Sequence, residues 1–223
     1  QHKAGVVIWV SGSGKGGLYT SAGEVRSELR LLLEQGWTVL GLDLLFQGEF
    51  LADGRPATQT RRVKNPREAA AYTFGYNHSL FAQRVHDVLT AIAYAKGQWG
   101  GTGRLVLAGL EGGGPWVAGA CAQARGALDA VALDTEGLRF GKVLDLHSPD
   151  FLPGGALYGD LPGMIALGKP RRLWLAGEGD RPPVLAKAAY DADGEAQAIT
   201  LYSGAAAETS AEFSRWLLTI AWP

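Results

Sequence analysis

Short apolar runs of strand length alternate with segments whose apolar positions recur at helical spacing. Val6–Val10 is a β-branched run that reads as a buried strand. Ser21-x-x-Glu24 has the form of a capping box and predicts a helix carrying Val25, Leu29, Leu32 and Leu33, ended by Gly36. Trp37–Leu42 is the next strand, and residues 47–66 read as a polar excursion over the surface. The spacing of Phe81, Val85, Val88, Leu89 and Ile92 predicts a long helix from Ser79 to Lys96, stopped by Gly97. Further strands are expected at 104–109, 130–134, 172–176 and 198–202, with helices after 114, over 183–190 and from Thr209, where Thr209-x-x-Glu212 again resembles a capping box. Residues 137–163 form a long Gly- and Pro-containing connection. Strands separated by helices imply an α/β fold: a doubly wound, mostly parallel sheet flanked by helices, in a single domain spanning residues 1–223.

Composition narrows the partners. A chain of 223 residues that is 47% hydrophobic can bury one substantial core. Its formal net charge of −1 and its lack of basic runs argue against nucleic acid or an anionic membrane as partner. No apolar stretch reaches the roughly 18–20 residues of a membrane span. A lone cysteine, Cys121, excludes an intrachain disulfide framework and suits either redox compartment. A strand begins almost at once, at Gly5, with no signal peptide before it; this reads as a cut domain boundary, and the sequence assigns no compartment.

The most informative segment is Gly109-Leu110-Glu111-Gly112-Gly113, a G-x-E-x-G between a predicted strand and a predicted helix. That is the setting of the G-x-S-x-G nucleophile elbow, with a carboxylate in the place of the nucleophile. In this reading the Gly112 backbone N–H points into an oxyanion position and Glu111 stands at the top of the sheet. The bland alternative makes Glu111 a polar residue favoured by the dipole of a helix N-terminus. Gly12-Ser13-Gly14-Lys15-Gly16-Gly17 is the second glycine-rich loop. It matches G-x-G-x-x-G after a strand, with Asp43 ending the next strand as a candidate ribose ligand of a dinucleotide. It fails as a Walker A loop because Gly16 follows Lys15. The rival readings are a plain structural turn and a loop whose backbone, at Ser13, lends an N–H to an oxyanion hole.

A nucleophile at this elbow needs an acid after a later strand and a histidine after the last. Glu178 and Asp180 follow the 172–176 strand and either could be the acid; Asp180 is the candidate. No histidine occurs after His147, and the stretch after the last strand, 203–208, offers only Glu208 as a titratable group. An imidazole matters because its near-neutral pKa lets one group both take and return a proton. Among His2, His78, His86 and His147, the first sits at the terminus, His78 reads as a helix cap and His86 as a packed residue. His147, in the 137–163 connection, is the replacement base if there is one. No two histidines fall at metal-ligand spacing, and Cys121 and the tryptophans read as core. No cofactor is implied.

With the elbow, the PREAAAYTFGYNHSLFAQRVHDVLTAI segment (66–92) and ALYGDLPGMIALGKPRRLWLAGEGD (156–180) in view, the chain resembles acetyl xylan esterase and dienelactone hydrolase relatives in the α/β-hydrolase superfamily, from Gly5 to Trp222. The resemblance implies the α/β-hydrolase fold and carboxylic ester hydrolysis by a Ser or Cys, an Asp and a His. Carried over, the nucleophile position falls on Glu111 and the acid on Asp180, and the histidine has no counterpart. Two functions follow as expectations. The residues favour a noncatalytic domain whose cleft binds a small-molecule or carbohydrate ester, or packs beside an adjacent catalytic domain. The other is an esterase of altered mechanism using Glu111, Asp180 and His147.

Overall fold

The computed structural model describes residues 4–53, 55, 57–60, 69–99, 103–124 and 126–222. Six strands, β1 (Gly5–Ser11), β2 (Trp37–Gly41), β3 (Arg104–Leu110), β4 (Ala130–Asp134), β5 (Leu173–Ala176) and β6 (Ile199–Tyr202), form one all-parallel sheet in the order β2-β1-β3-β4-β5-β6. Both faces of the sheet are covered, which is why the strands read as continuous apolar runs. In β1 the alternation divides cleanly: Val6, Ile8 and Val10 join one core with Phe81, Val85 and Val88, while Val7 and Trp9 join the other with Leu29, Leu32 and Phe213.

Seven α-helices are present among the described residues: α1 (Ser27–Glu34), α2 (Ala70–Phe74), α3 (Leu80–Trp99), α4 (Gly114–Ala124), α5 (Asp160–Gly168), α6 (Val184–Asp191) and α7 (Thr209–Thr219). Helices α1 and α7 pack together on one face of the sheet; α3, α4, α5 and α6 pack in succession on the other. The α1/α7 face is built on an aromatic chain in which Phe213 lies 5.6 Å from Trp9, 6.0 Å from Trp174 and 6.1 Å from Trp216.

Four local expectations change, the first being that α3 runs through Gly97 to Trp99 instead of stopping there. Helix α1 starts at Ser27, not near Ser21: Thr20 and Glu24 close a turn, with the Thr20 N–H on the Glu24 carbonyl at 2.8 Å and an isolated bridge between Tyr19 and Val25. Arg26 thereby becomes the residue that precedes the helix. Helix α7 does start at Thr209, but no side-chain bond caps it. Helix α5 begins inside the segment read as a connection, where Pro162 and Gly163 masked it in the sequence. The proline lies in its first turn, where a missing N–H costs nothing. Gly163 is required because a Cβ there would stand 2.2 Å from the Tyr158 carbonyl oxygen.

Strand order reverses between β1 and β3, since the chain steps outward from β1 to β2 and then returns to the opposite side. In open parallel sheets the crevice beyond the C-terminal strand ends at such a switch is where ligands bind. The Gly12–Gly17 loop and the 109–113 elbow both lie there.

Candidate active site at the elbow

The elbow forms as the sequence predicts, and its glycines answer to backbone contacts. Glu111 has φ +50° and Gly112 φ +86°, so a bulky acidic residue is held in the left-handed region. A Cβ on Gly113 would sit 2.4 Å from the Val10 carbonyl oxygen, and one on Gly114 only 1.9 Å from that of Asp134. Register brings Ser11 beside Leu110, so that the Gly12 N–H donates to the Glu111 carbonyl at 2.7 Å.

The Glu111 side chain is engaged on both oxygens. Arg26 Nη1 lies 2.8 Å from Oε1 and 3.0 Å from Oε2, and Ser210 Oγ donates to Oε1 at 2.8 Å. Arg26 also donates to the Gly17 carbonyl at 2.9 Å and pairs with Glu28 at 2.5 Å. Burial works against the Arg26 charge, but the Glu111 and Glu28 carboxylates outweigh it and raise its pKa. Ser210 stands in the first turn of α7, just past the stretch where a triad histidine would be expected. Sequence reasoning missed both partners. Arg26 read as the interior of a helix and Ser210 as an ordinary helical position.

Other carboxylates crowd the β4 side. Burial raises the pKa of Asp134; a bond from the Glu136 N–H, at 3.1 Å, opposes this, and the Glu111 charge adds to the rise. Glu136 is raised by partial desolvation and by Asp134, is lowered by the Gly112 backbone amide, and is raised again by Asp150 and Glu111. Asp150 is raised by burial, against a bond from Trp116 Nε1 at 3.2 Å and the charge of Arg84. Arg84 lies over the Trp116 ring at 4.4 Å, and burial lowers its pKa to about 10. Among the described residues, no three His, Cys, Asp or Glu side chains gather as a metal site.

The remaining candidates separate. Asp180 is exposed on the loop after β5, while Glu178 turns inward, accepting from Thr135 Oγ1 at 2.6 Å and from Arg139 Nη1 at 2.9 Å. His147 is buried at 3% exposure; its N–H donates to Asp145 Oδ1 at 2.9 Å and its carbonyl accepts from the Thr60 N–H at 2.7 Å. The donors to the Glu111 carboxylate remain Arg26 and Ser210. The Ser13 N–H donates to Ser11 Oγ at 3.1 Å. His78 is exposed and α3 is capped instead by Ser79, whose Oγ accepts from the Ala82 N–H at 3.3 Å. His86 is exposed on α3 rather than packed. His2 lies outside the described residues. Cys121 is buried, and burial pushes its thiol pKa up to about 12.

The dinucleotide reading does not survive the geometry. Gly14–Leu18 forms a 3-10 turn, and α1 begins only at Ser27, so no helix N-terminus underlies the glycines. The Asp43 carboxylate is 7% exposed and already accepts the Lys15 backbone N–H at 2.8 Å, with Lys15 Nζ at 3.3 Å.

A cleft of ≈ 290 Å³ opens beside the elbow, lined among others by Gly112, Pro115, Glu136, Arg139, Lys142 and Asp150. A larger apolar groove of ≈ 880 Å³, with Phe81, Val85, Met164 and Leu167 in its wall, lies between α3, α4 and α5 and shares no lining residue with that cleft.

No family profile matches the sequence, nor does any curated protein. Solved structures do match. A protein described as an acetyl xylan esterase from Bacteroides fragilis aligns with 91% of this chain at a TM-score of 0.61 and 17% identity. Dienelactone hydrolase from Anabaena variabilis aligns with 97% at 0.51 and 16%, covering 86% of that protein. Est1E from Butyrivibrio proteoclasticus, with bound ferulic acid, aligns with 98% at 0.53 and 14%, covering 90% of that protein. The chain has the α/β-hydrolase fold. It spans 59% of the length of the Bacteroides fragilis protein. Within the α/β-hydrolase fold, the strand order puts Glu111 on the elbow after β3, the Glu178–Asp180 loop after β5, and a histidine-free stretch, Ser203–Glu208, after β6.

Proposed function

We propose that this chain is a noncatalytic α/β-hydrolase-fold domain, esterase-like in architecture, that serves as a ligand-binding or packing module beside a catalytic domain. The observation that carries the reading is the engagement of Glu111. A nucleophile must present a free lone pair to an electrophilic carbon, and this carboxylate is held by a guanidinium and a hydroxyl. Supporting it, the stretch after β6 contains no imidazole to shuttle a proton. The cleft next to the elbow is large enough for a small ester or a sugar-sized ligand, which is what a binding role needs.

The test is hydrolysis of p-nitrophenyl acetate by the purified chain. The expected release of p-nitrophenol is the same for wild type, Glu111→Ala and His147→Ala, and does not saturate with substrate. Saturable turnover abolished by either substitution would establish an esterase of altered mechanism instead.

A further inference from the structure

Helix α4 lies between α3 and α5 and packs against both, and its residues between them are small: Gly119 is buried and Ala122 is 7% exposed. Small residues on the middle helix leave a trough between its neighbours. Gly119 sets how close α3 comes, since a Cβ there would stand 2.9 Å from Val85 Cγ2. One wall is the i, i+4, i+8 stripe of α3, Phe81, Val85 and Leu89; the other is Met164 and Leu167 of α5. Phe81 is set edge-on to Phe140 at 5.1 Å, so the α3 wall is part of the core. On the other side Leu167 is 67% exposed. The trough's ≈ 880 Å³ lies in the range of about 300–1,000 Å³ typical of small-molecule sites.

The polar groups of the trough narrow the choice of occupant. Among the described residues no Lys or Arg lines it, and its one carboxylate, Asp87, accepts the Leu45 N–H at 2.9 Å. The Gln83 amide donates to the His78 carbonyl at 3.3 Å, and that of Gln123 to the Gly119 carbonyl at 3.4 Å. A protein interface carries a polar rim that pairs with its partner; here those amides are turned onto their own chain. The rings of His78 and His86, both exposed, remain as the polar groups at the mouth.

We propose that this trough is a second ligand site, for an uncharged and largely apolar small molecule with one hydrogen-bonding group. Among the described residues it shares no lining residue with the cleft at the elbow, and it does not depend on whether the chain is catalytic. The apolar walls supply the affinity. The imidazoles meet the ligand's polar group, and the lack of a lysine or arginine beside Asp87 discriminates against anions.

The experiment uses two fluorescent probes with one skeleton, at about pH 8, where ordinary imidazoles are neutral. N-phenyl-1-naphthylamine is uncharged, and 8-anilinonaphthalene-1-sulfonate carries a fixed anion on the same rings. The neutral probe is expected to saturate at one per chain, and the sulfonate to bind about tenfold more weakly or worse. Ala82→Phe fills the trough from α3, and Leu167→Lys puts a cation on its α5 wall. Both positions are at least partly exposed, so both variants keep the fold, which an unchanged urea midpoint verifies. Ala82→Phe is expected to weaken the neutral probe about tenfold. Leu167→Lys is expected to weaken the neutral probe and strengthen the sulfonate. Leu144→Lys, at a 91% exposed position outside the trough, should alter neither. Absent or equal binding of the two probes by wild type overturns the proposal, as does neutral-probe binding that Ala82→Phe and Leu167→Lys leave unchanged. So does a concentration-dependent dimer in sedimentation velocity that Leu167→Lys dissociates, because a second copy would then cover the trough.

Discussion

Replacing Arg26 with alanine tests whether the elbow carboxylate is a structural anchor. The substitution removes the guanidinium contacts to Glu111, to Glu28 and to the Gly17 carbonyl together. It removes no capping bond from α1, because the Arg26 side chain makes none to that helix. Breaking a fully buried charge pair costs about 3–5 kcal/mol, and an exposed one contributes no more than about 1 kcal/mol. The Arg26 side chain is 24% exposed and that of Glu111 34%, which places this pair between the two. Ser210 continues to donate to Glu111 and softens the loss, while the Asp134 and Glu136 carboxylates nearby add to it. The balance is a destabilisation of about 2 kcal/mol. For a chain of this length that lowers Tm by roughly 4–8 °C.

Urea denaturation gives the assay, read as a shift of the midpoint at constant m. A double-mutant cycle with Glu111→Gln then isolates the pair from the Glu28 and Gly17 contacts, with an expected coupling of about 1 kcal/mol. High salt should reduce that coupling only in part, because the pair is half-shielded from solvent. Costs of the two single substitutions that add to within about 0.3 kcal/mol would refute the anchor, and with it the main support for a noncatalytic Glu111.

Two further outcomes follow from the same geometry. Gly114→Ala drives a Cβ into the Asp134 backbone and should cost about 3 kcal/mol or more, whereas Gly97→Ala, in open space on α3, should gain about 0.5–1 kcal/mol; thermal unfolding compares them, and equal Tm values would be the contrary result. The raised pKa values of Asp134, Glu136 and Asp150 mean that the native state binds more protons than the unfolded chain between the ordinary carboxylate range and those higher values. Stability therefore falls as pH rises through that window. Asp134→Asn should flatten the slope and be the more stable protein at neutral pH, as read from urea midpoints across pH; superimposable profiles would remove Asp134 from the account. At lower pH the slope reverses at Asp160. Burial there is outweighed by the Gly141, Leu161 and Phe140 amides, so its pKa lies below the usual value and its contribution is lost as pH falls through that value.

The strands were legible because parallel strands covered on both faces need apolar residues at every position, as Val6 to Val10 show. The elbow was legible for a similar reason, since a strand, a tight turn and a helix each leave a local mark. What local pattern could not convey is which distant side chains meet there. Arg26 and Ser210 lie 85 and 99 positions from Glu111 along the chain, and neither has a distinctive neighbourhood in sequence. Even the position of Arg26 depends on the Tyr19–Val25 bridge, which delays α1 past an apparent capping box. Glu136 was passed over because a single acidic residue in a loop carries no signal until the fold brings it to the cleft beside Gly112.

The glycines of the elbow explain why an esterase-like motif persists around a residue that does not fit esterase chemistry. Gly113 is required by the Val10 carbonyl and Gly114 by the Asp134 carbonyl, contacts between the start of α4 and the ends of β1 and β4. Those contacts come from packing a helix tightly on a parallel sheet, and they hold whatever side chain stands at position 111. The central residue is therefore free to change without loss of the motif, provided that its new charge is met. Arg26, the residue just before α1, and Ser210, in α7, meet it from the opposite face of the sheet from α4, which makes the elbow a junction between the layers. On this argument the glycine pattern reports the packing of α4, and the partners of residue 111 report the chemistry.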